Sequence, residues 1–189
     1  MFGSDKWCAG VVAASIALLF VPFAIAQKDN PTQLLPPQYQ NWLDQDVRYI
    51  ITDQERAEFA RLTNDQQRDE FVNRFWDRRN PDPESKTNAF KQEHYRRLAY
   101  ANTHFAHNVP GYKSDRGRIY IIYGPPEERE QHPMRSRLVP ASAPASSRYP
   151  SEVWLYHYIE GVGRNLVMQF IDTCECGEYP LVNDPTKKY

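Results

Sequence analysis

The chain has 189 residues, which suits one ordinary domain and is short for two. With 23 basic and 24 acidic side chains the net charge is −1, and a chain without a basic surplus is a poor match for nucleic acid or an anionic membrane surface. Twelve tyrosines and four tryptophans give it enough aromatic bulk to build a core.

Residues 1–26 have the layout of an export signal. Lys6 and the terminal amine make a weakly positive start, residues 11–25 are almost wholly apolar, and Ala24-Ile25-Ala26 offers a small-x-small cleavage site ahead of Gln27. The apolar run is short for a membrane span and is broken by Pro22. The expectation is an exported chain, in the periplasm or cell envelope, with the signal peptide cleaved after Ala26. An uncleaved leader would be its one link to a membrane. Residues 27–37 carry three prolines and no periodicity, an extended lead-in to a single domain over 38–189.

Helical pattern begins beyond Pro37, where Tyr39, Trp42, Leu43 and Val47 share one face. Thr52-Asp53-Gln54-Glu55 is a capping box that predicts a helix to about Leu62. Thr63 to Gln66 repeats the signal and predicts a helix to about Asp77, with Phe71, Val72, Phe75 and Trp76 facing inward. Arg78-Arg79-Asn80-Pro81-Asp82-Pro83 is a firm break. A long helix is expected over 87–108, with Phe90, His94, Leu98, Ala101 and Phe105 on one face.

Residues 111–126, GYKSDRGRIYIIYGPP, hold the densest set of signals. Ser114, Asp115 and Gly117 are turn formers, and Gly124-Pro125-Pro126 is a stop. Between them, 118–123 alternates Ile119, Ile121 and Tyr123 with Tyr120 and Ile122. That pattern predicts a strand covered on both faces, central in its sheet. Residues 127–150 contain the low-complexity run VPASAPASS, and a mobile loop is expected near 131–150. Strands are predicted at 152–158 and 165–171, joined by a glycine-bearing hairpin at 160–164, and 178–189 offers a short edge piece. Helices first and a hairpin-linked sheet after give an α+β fold, with N-terminal helices packed on a small antiparallel sheet of three or more strands.

Cys174 and Cys176 are two apart. On a strand their Cα atoms would lie about 6.5 Å apart and be poorly oriented for a bridge, whereas a turn over 173–177 permits one. The pair stands as two thiols or a local staple, with a metal clip as the alternative, although a Cys-x-Cys pair supplies only two ligands. His94 lies on the apolar face of the long helix, about 15 Å along it from His104, so one metal cannot take His94, His104 and His107 together. A hydrogen-bonded core histidine is the reading for His94, and no metal or cofactor is expected.

The run Gly111-Tyr112-Lys113-Ser114-Asp115, followed by Arg116-Gly117-Arg118 and YIIYGPP, resembles the GWxTD domain of exported bacterial proteins, of the kind common in acidobacteria. Trp76 and Arg79-Asn80-Pro81-Asp82-Pro83 resemble the tryptophan and Arg-Asp-Pro-type segment that precede the motif in that family, and Asn88, Tyr95 and Arg97 match further positions. The resemblance spans roughly residues 42–171. Tyr112 stands where the motif has tryptophan, Ser114 where it has threonine, and Asn80 where it has aspartate. The family brings no biochemical activity with it.

The candidate constellation is therefore Gly111, Tyr112, Ser114, Asp115, Arg116 and Gly117 with Trp76, Arg78 and Arg79. Asp115 is either a general base or ligand carboxylate working with an arginine, or a turn carboxylate paired with an arginine of the helical half, pinning helices to sheet. No catalytic residues are assigned. A non-enzymatic binding or scaffolding module is the preferred reading, acting on an envelope protein or glycan through the exposed sheet face or the 131–150 loop. The alternative is a cell-envelope hydrolase or transferase using Asp115 with Arg78, Arg79 or Arg116.

Overall fold

The computed structural model describes residues 35–133, 142, 144 and 148–186. The expected export signal, most of the lead-in and most of the 131–150 loop lie outside them. α1 (Pro37–Asn41) begins on a proline, which suits a first helical position because the missing N–H would have had no partner there. It runs into a wider helical turn, Trp42–Asp46. α2 (Asp53–Ala60) starts on the expected capping box: Thr52 Oγ1 accepts the Glu55 N–H and Glu55 accepts the Thr52 N–H. α3 (Asp65–Asp77) is capped by Asn64, whose Oδ1 accepts the Gln67 N–H. Thr63, the expected cap, instead gives its N–H to Gln67 Oε1. Asparagine is the better cap of the two. Tyr39, Trp42, Val47, Phe59, Phe71, Phe75 and Trp76 form one core cluster, with the Trp42 ring 5.4, 6.3 and 5.1 Å from Phe59, Phe71 and Phe75.

α4 (Ala89–His104) is capped by Asn88 and is shorter at both ends than the 87–108 expectation. Its face buries His94, Leu98 and Ala101, and beyond its end Phe105 turns into the core. A short 3₁₀ turn, Gly111–Lys113, follows.

The expected central strand at 118–123 is a helix, α5 (Asp115–Tyr123). Ser114 caps it, Asp115 supplies a favourable negative charge to its first turn, and Gly124 at φ 87° closes it before Pro125. Ile119, Tyr120 and Ile121 are all buried because α5 lies between α4 and the sheet. The Tyr120 ring stacks on Tyr100 of α4 at 4.4 Å and meets Trp154 of the sheet edge-on at 6.4 Å. The segment is covered on both sides, as its alternation implies, but the element that needs the cover is a helix.

The sheet is an antiparallel meander in the order β1-β2-β3-β4: β1 (Glu128–His132), β2 (Ser151–Ile159), β3 (Gly163–Ile171) and β4 (Leu181–Asn183). Its central members are β2 and β3, paired from Ser151↔Ile171 to Ile159↔Gly163. β1 lies at the head of the 127–150 segment, where no strand was expected, and overlaps the expected loop only at 131–132. Its sequence, Glu-Arg-Glu-Gln-His, has no apolar alternation and is held by its ladder to β2, and such charge suits an edge strand. Trp154, Tyr156, Met168 and Phe170 point inward and form the second cluster with Leu98, Phe105, Tyr112 and α5. Tyr158, two residues beyond Tyr156 on β2, is exposed. Tyr95 packs against both clusters. The fold is α+β: among the described residues, five α-helices precede a four-stranded sheet.

Candidate motif crevice

The residues of the GYKSDRG run make a knot where α4, α5 and the chain after β3 meet. A Cβ on Gly111 would stand 1.9 Å from the Ala101 carbonyl oxygen, and one on Gly117 would stand 1.8 Å from the Gly111 carbonyl oxygen. Both contacts are backbone, so only glycine fits at either position. Tyr112 is buried; its N–H donates to Asn102 Oδ1 at 2.9 Å and its carbonyl accepts from the Tyr49 hydroxyl at 2.8 Å. The Ser114 hydroxyl donates to the Gly111 carbonyl at 2.8 Å and accepts the Gly117 N–H at 3.0 Å. Threonine would cap α5 in the same way.

Asp115 reaches away from its own helix. Its Oδ2 accepts the Leu181 N–H at 2.9 Å, fixing the start of β4, and its Oδ1 lies 3.4 Å from Arg118 Nη2. Arg118 also faces Asp184 at 3.4 Å. Burial works to raise the Asp184 pKa, but hydrogen bonds from Thr186 and the Arg118 guanidinium outweigh it and hold the group below the ordinary carboxylate range. Arg116 donates to Glu152 Oε2 at 3.0 Å and lies over the Tyr179 ring at 4.1 Å. Glu152 is 1 % exposed; it also accepts from Arg129 and, at 2.5 Å, from Trp154 Nε1. Burial raises the Tyr179 phenol, against the opposing pull of Arg116.

Arg78 and Arg79 belong to a different centre. They bind Glu55 at 2.8 and 2.7 Å, and Arg79 also donates to the carbonyls of Phe75 and Ile50 while stacking over the Phe75 ring at 3.7 Å. Trp76 is buried beside them, and its carbonyl accepts from Asn88 Nδ2 at 2.6 Å. The arginine facing Asp115 is thus Arg118, and the expected partners Arg78, Arg79 and Arg116 are taken by Glu55 and Glu152. Sequence reasoning missed Glu152, although an acid two residues before Trp154 on a strand must share its inward face. Asn102, Tyr49 and Arg118 gave no comparable local signal. His94 is the core histidine expected: its Nε2–H donates to the Asp46 carbonyl at 2.6 Å, and burial lowers its pKa.

Lys113, Ser114, Asp115 and Arg116 form one wall of a crevice of about 290 Å³. Gly177, Glu178, Tyr179 and Pro180 form the other, and Phe105, His107 and Val109 complete it. Just before that second wall, Cys174 and Cys176 are joined in a disulfide within a turn. One oxygen of Asp172 and the two sulfurs lie within 4.8 Å of one another, but bridged sulfurs are not the thiolates a metal needs.

No curated protein and no solved structure matches the chain. The profile of the GWxTD domain matches residues 28–139, over half of the sequence, running from before α1 through the motif turn and β1 but stopping short of β2, β3 and β4. With GYKSD at the crossing of α4 and α5 inside that span, the chain belongs to the GWxTD-domain family.

Proposed function

We propose that the chain is an exported, non-enzymatic binding or scaffolding module of the cell envelope, and that it takes a segment of a partner protein into the motif crevice. One observation carries this reading. Ser114 and Asp115, the two groups a catalytic account would use, are both committed to holding the chain together: one closes the turn and caps α5, and the other ties β4 to it. Among the described residues lining the crevice, the Ser114 hydroxyl donates to a backbone carbonyl and not to a histidine or carboxylate base. The crevice mixes aromatic surface with both signs of charge, from Lys113 and Glu178, the composition of a recognition surface rather than of a reaction centre. The apolar 11–25 run, ending in the small-x-small site Ala24-Ile25-Ala26, supports export.

The test is capture of envelope proteins by the immobilised chain, comparing wild type, Lys113→Glu, Asp115→Asn and a deletion of residues 138–148. Lys113→Glu is expected to weaken capture at least about tenfold, a change of about 1.4 kcal/mol, without unfolding. Asp115→Asn and the deletion are expected to retain capture. Capture that survives Lys113→Glu and is lost with 138–148 would move the binding site to that segment. A turnover that vanishes in a folded Asp115→Asn protein would replace the binding reading with catalysis.

A further inference from the structure

We infer that the Cys174–Cys176 bridge is a reversible redox site that exchanges with dithiols, and is not a staple of the fold; this is independent of the binding reading. A disulfide stabilises a fold mainly by closing a loop in the unfolded chain, and that effect shrinks with the number of residues enclosed. Here a single residue, Glu175, lies between the two cysteines. The turn is also held without the sulfurs. The buried Asp172 carboxylate accepts the N–H groups of Cys176 and Gly177 at 3.0 and 2.7 Å, and the Asp172 N–H is bonded to the Pro150 carbonyl at 2.9 Å. Glu175 and Gly177 take the positive φ values, 55° and 80°, that shape the turn. His107 packs so closely on Gly177 that a Cβ there would fall 2.9 Å from its ring. Opening the bridge therefore leaves its frame in place.

The two sulfurs differ in access and surroundings. Cys174 is exposed and Cys176 half-buried, so an incoming thiolate meets Cys174 first. Its attack forms a mixed disulfide with Cys174 and breaks the bridge, and the electron pair goes to Cys176, which leaves as a thiolate and takes a proton from water. A second thiol of the substrate, giving its proton to solvent, then attacks the substrate sulfur in the mixed disulfide and expels Cys174. Once protonated, Cys174 has Asp172 Oδ1 3.2 Å from its sulfur as a ready acceptor. The dithiol product is thus stabilised by a group already in position. The balance is one substrate dithiol oxidised to a disulfide and one bridge reduced to two thiols, a transfer of two electrons and two protons.

The experiment equilibrates the oxidised full chain with glutathione buffers of graded composition near neutral pH. Samples are quenched in acid and alkylated, and the peptide carrying Cys174 and Cys176 is weighed. The bridge is expected to open and close reversibly within the series while the thermal midpoint moves by less than about 2 °C, a change under about 1 kcal/mol. A synthetic peptide dithiol is expected to be oxidised one-for-one with loss of the bridge. The variant C174A/C176A, which keeps Cys8, is expected to hold its midpoint and oxidise no peptide. A bridge that resists the most reducing buffer, or whose opening lowers the midpoint further than that, would overturn the proposal. So would peptide oxidation undiminished in the double variant, which would place the activity elsewhere.

Discussion

Glu55 joins two parts of the chain: it completes the cap of α2 and binds both arginines at the end of α3. Burial acts to raise its pKa, but hydrogen bonds from Arg79, the Thr52 N–H and Arg78 overcome that and hold the group at about 2, down from 4.5. Glu93 is also held at about 2, first by Arg96 and then, against burial, by Arg97. A carboxylate whose folded pKa is depressed contributes its full stability above the unfolded value and loses it as pH falls through the folded one. The stability given by these groups is therefore expected to be intact above 4.5 and to disappear between there and about 2. Urea titrations of wild type and Glu55→Gln across that window check it. The variant should be weaker by about 2 kcal/mol near neutrality, and the gap should close toward the acid end. A gap that does not depend on pH would show that Glu55 acts through packing. The motif glycines make a sharper residue-scale case. Gly111→Ala sets a methyl against the α4 backbone with 1.9 Å of room, and is expected to cost about 4 kcal/mol or more, read as loss of the cooperative melt in circular dichroism.

At the scale of elements, α5 shows what the sequence reveals and what it withholds. Ile119, Ile121 and Ile122 among tyrosines favour a strand by propensity, and a segment apolar on all sides carries no period to choose between strand and helix. Its ends did carry the answer. Serine before aspartate, with glycine nine residues on from that aspartate and proline next, is the boundary pattern of a helix. The boundaries of α2 were legible for that reason, through Thr52 and Glu55. β1 was illegible because five polar residues gain strand structure only from the neighbour they pair with. The bond from Asp115 to Leu181 spans 66 residues, beyond any local rule. Ser114→Ala is expected to cost about 1 kcal/mol through the lost cap. Asp115→Ala is expected to release the start of β4, which hydrogen exchange at the Leu181 amide would record as faster exchange there than at β2 amides. Equal acceleration across the sheet would mean that Asp115 supports the whole fold rather than one edge.

For the molecule as a whole, the two core clusters raise the question of where the foldable unit ends. The profile match stops at 139, yet α5 is covered on one side by side chains from beyond that point. Trp154, Tyr156, Met168 and Phe170 pack with Ile119, Tyr120 and Phe105, and the Tyr156 hydroxyl donates to the Gly124 carbonyl at 2.9 Å. Burial pushes that phenol well above its ordinary range, so it remains a donor at any working pH. Among the described residues β1 has its ladder partner only in β2, and half-buried Arg116 would lose Glu152. The cluster around Trp42 and Phe75 has no such dependence, since its members lie at 39–76. A chain ending at 139 is therefore expected to keep helical circular dichroism from α1 to α3, lose the tertiary signal of the tyrosines around Tyr120, and bind a hydrophobic dye, the behaviour of a compact state without fixed packing. If that shortened chain instead melts cooperatively with ordered aromatic signals, the sheet is an accessory to a helical domain. If it behaves as expected, the domain extends to β4, and the hairpin is as necessary to α5 as the motif turn that starts it.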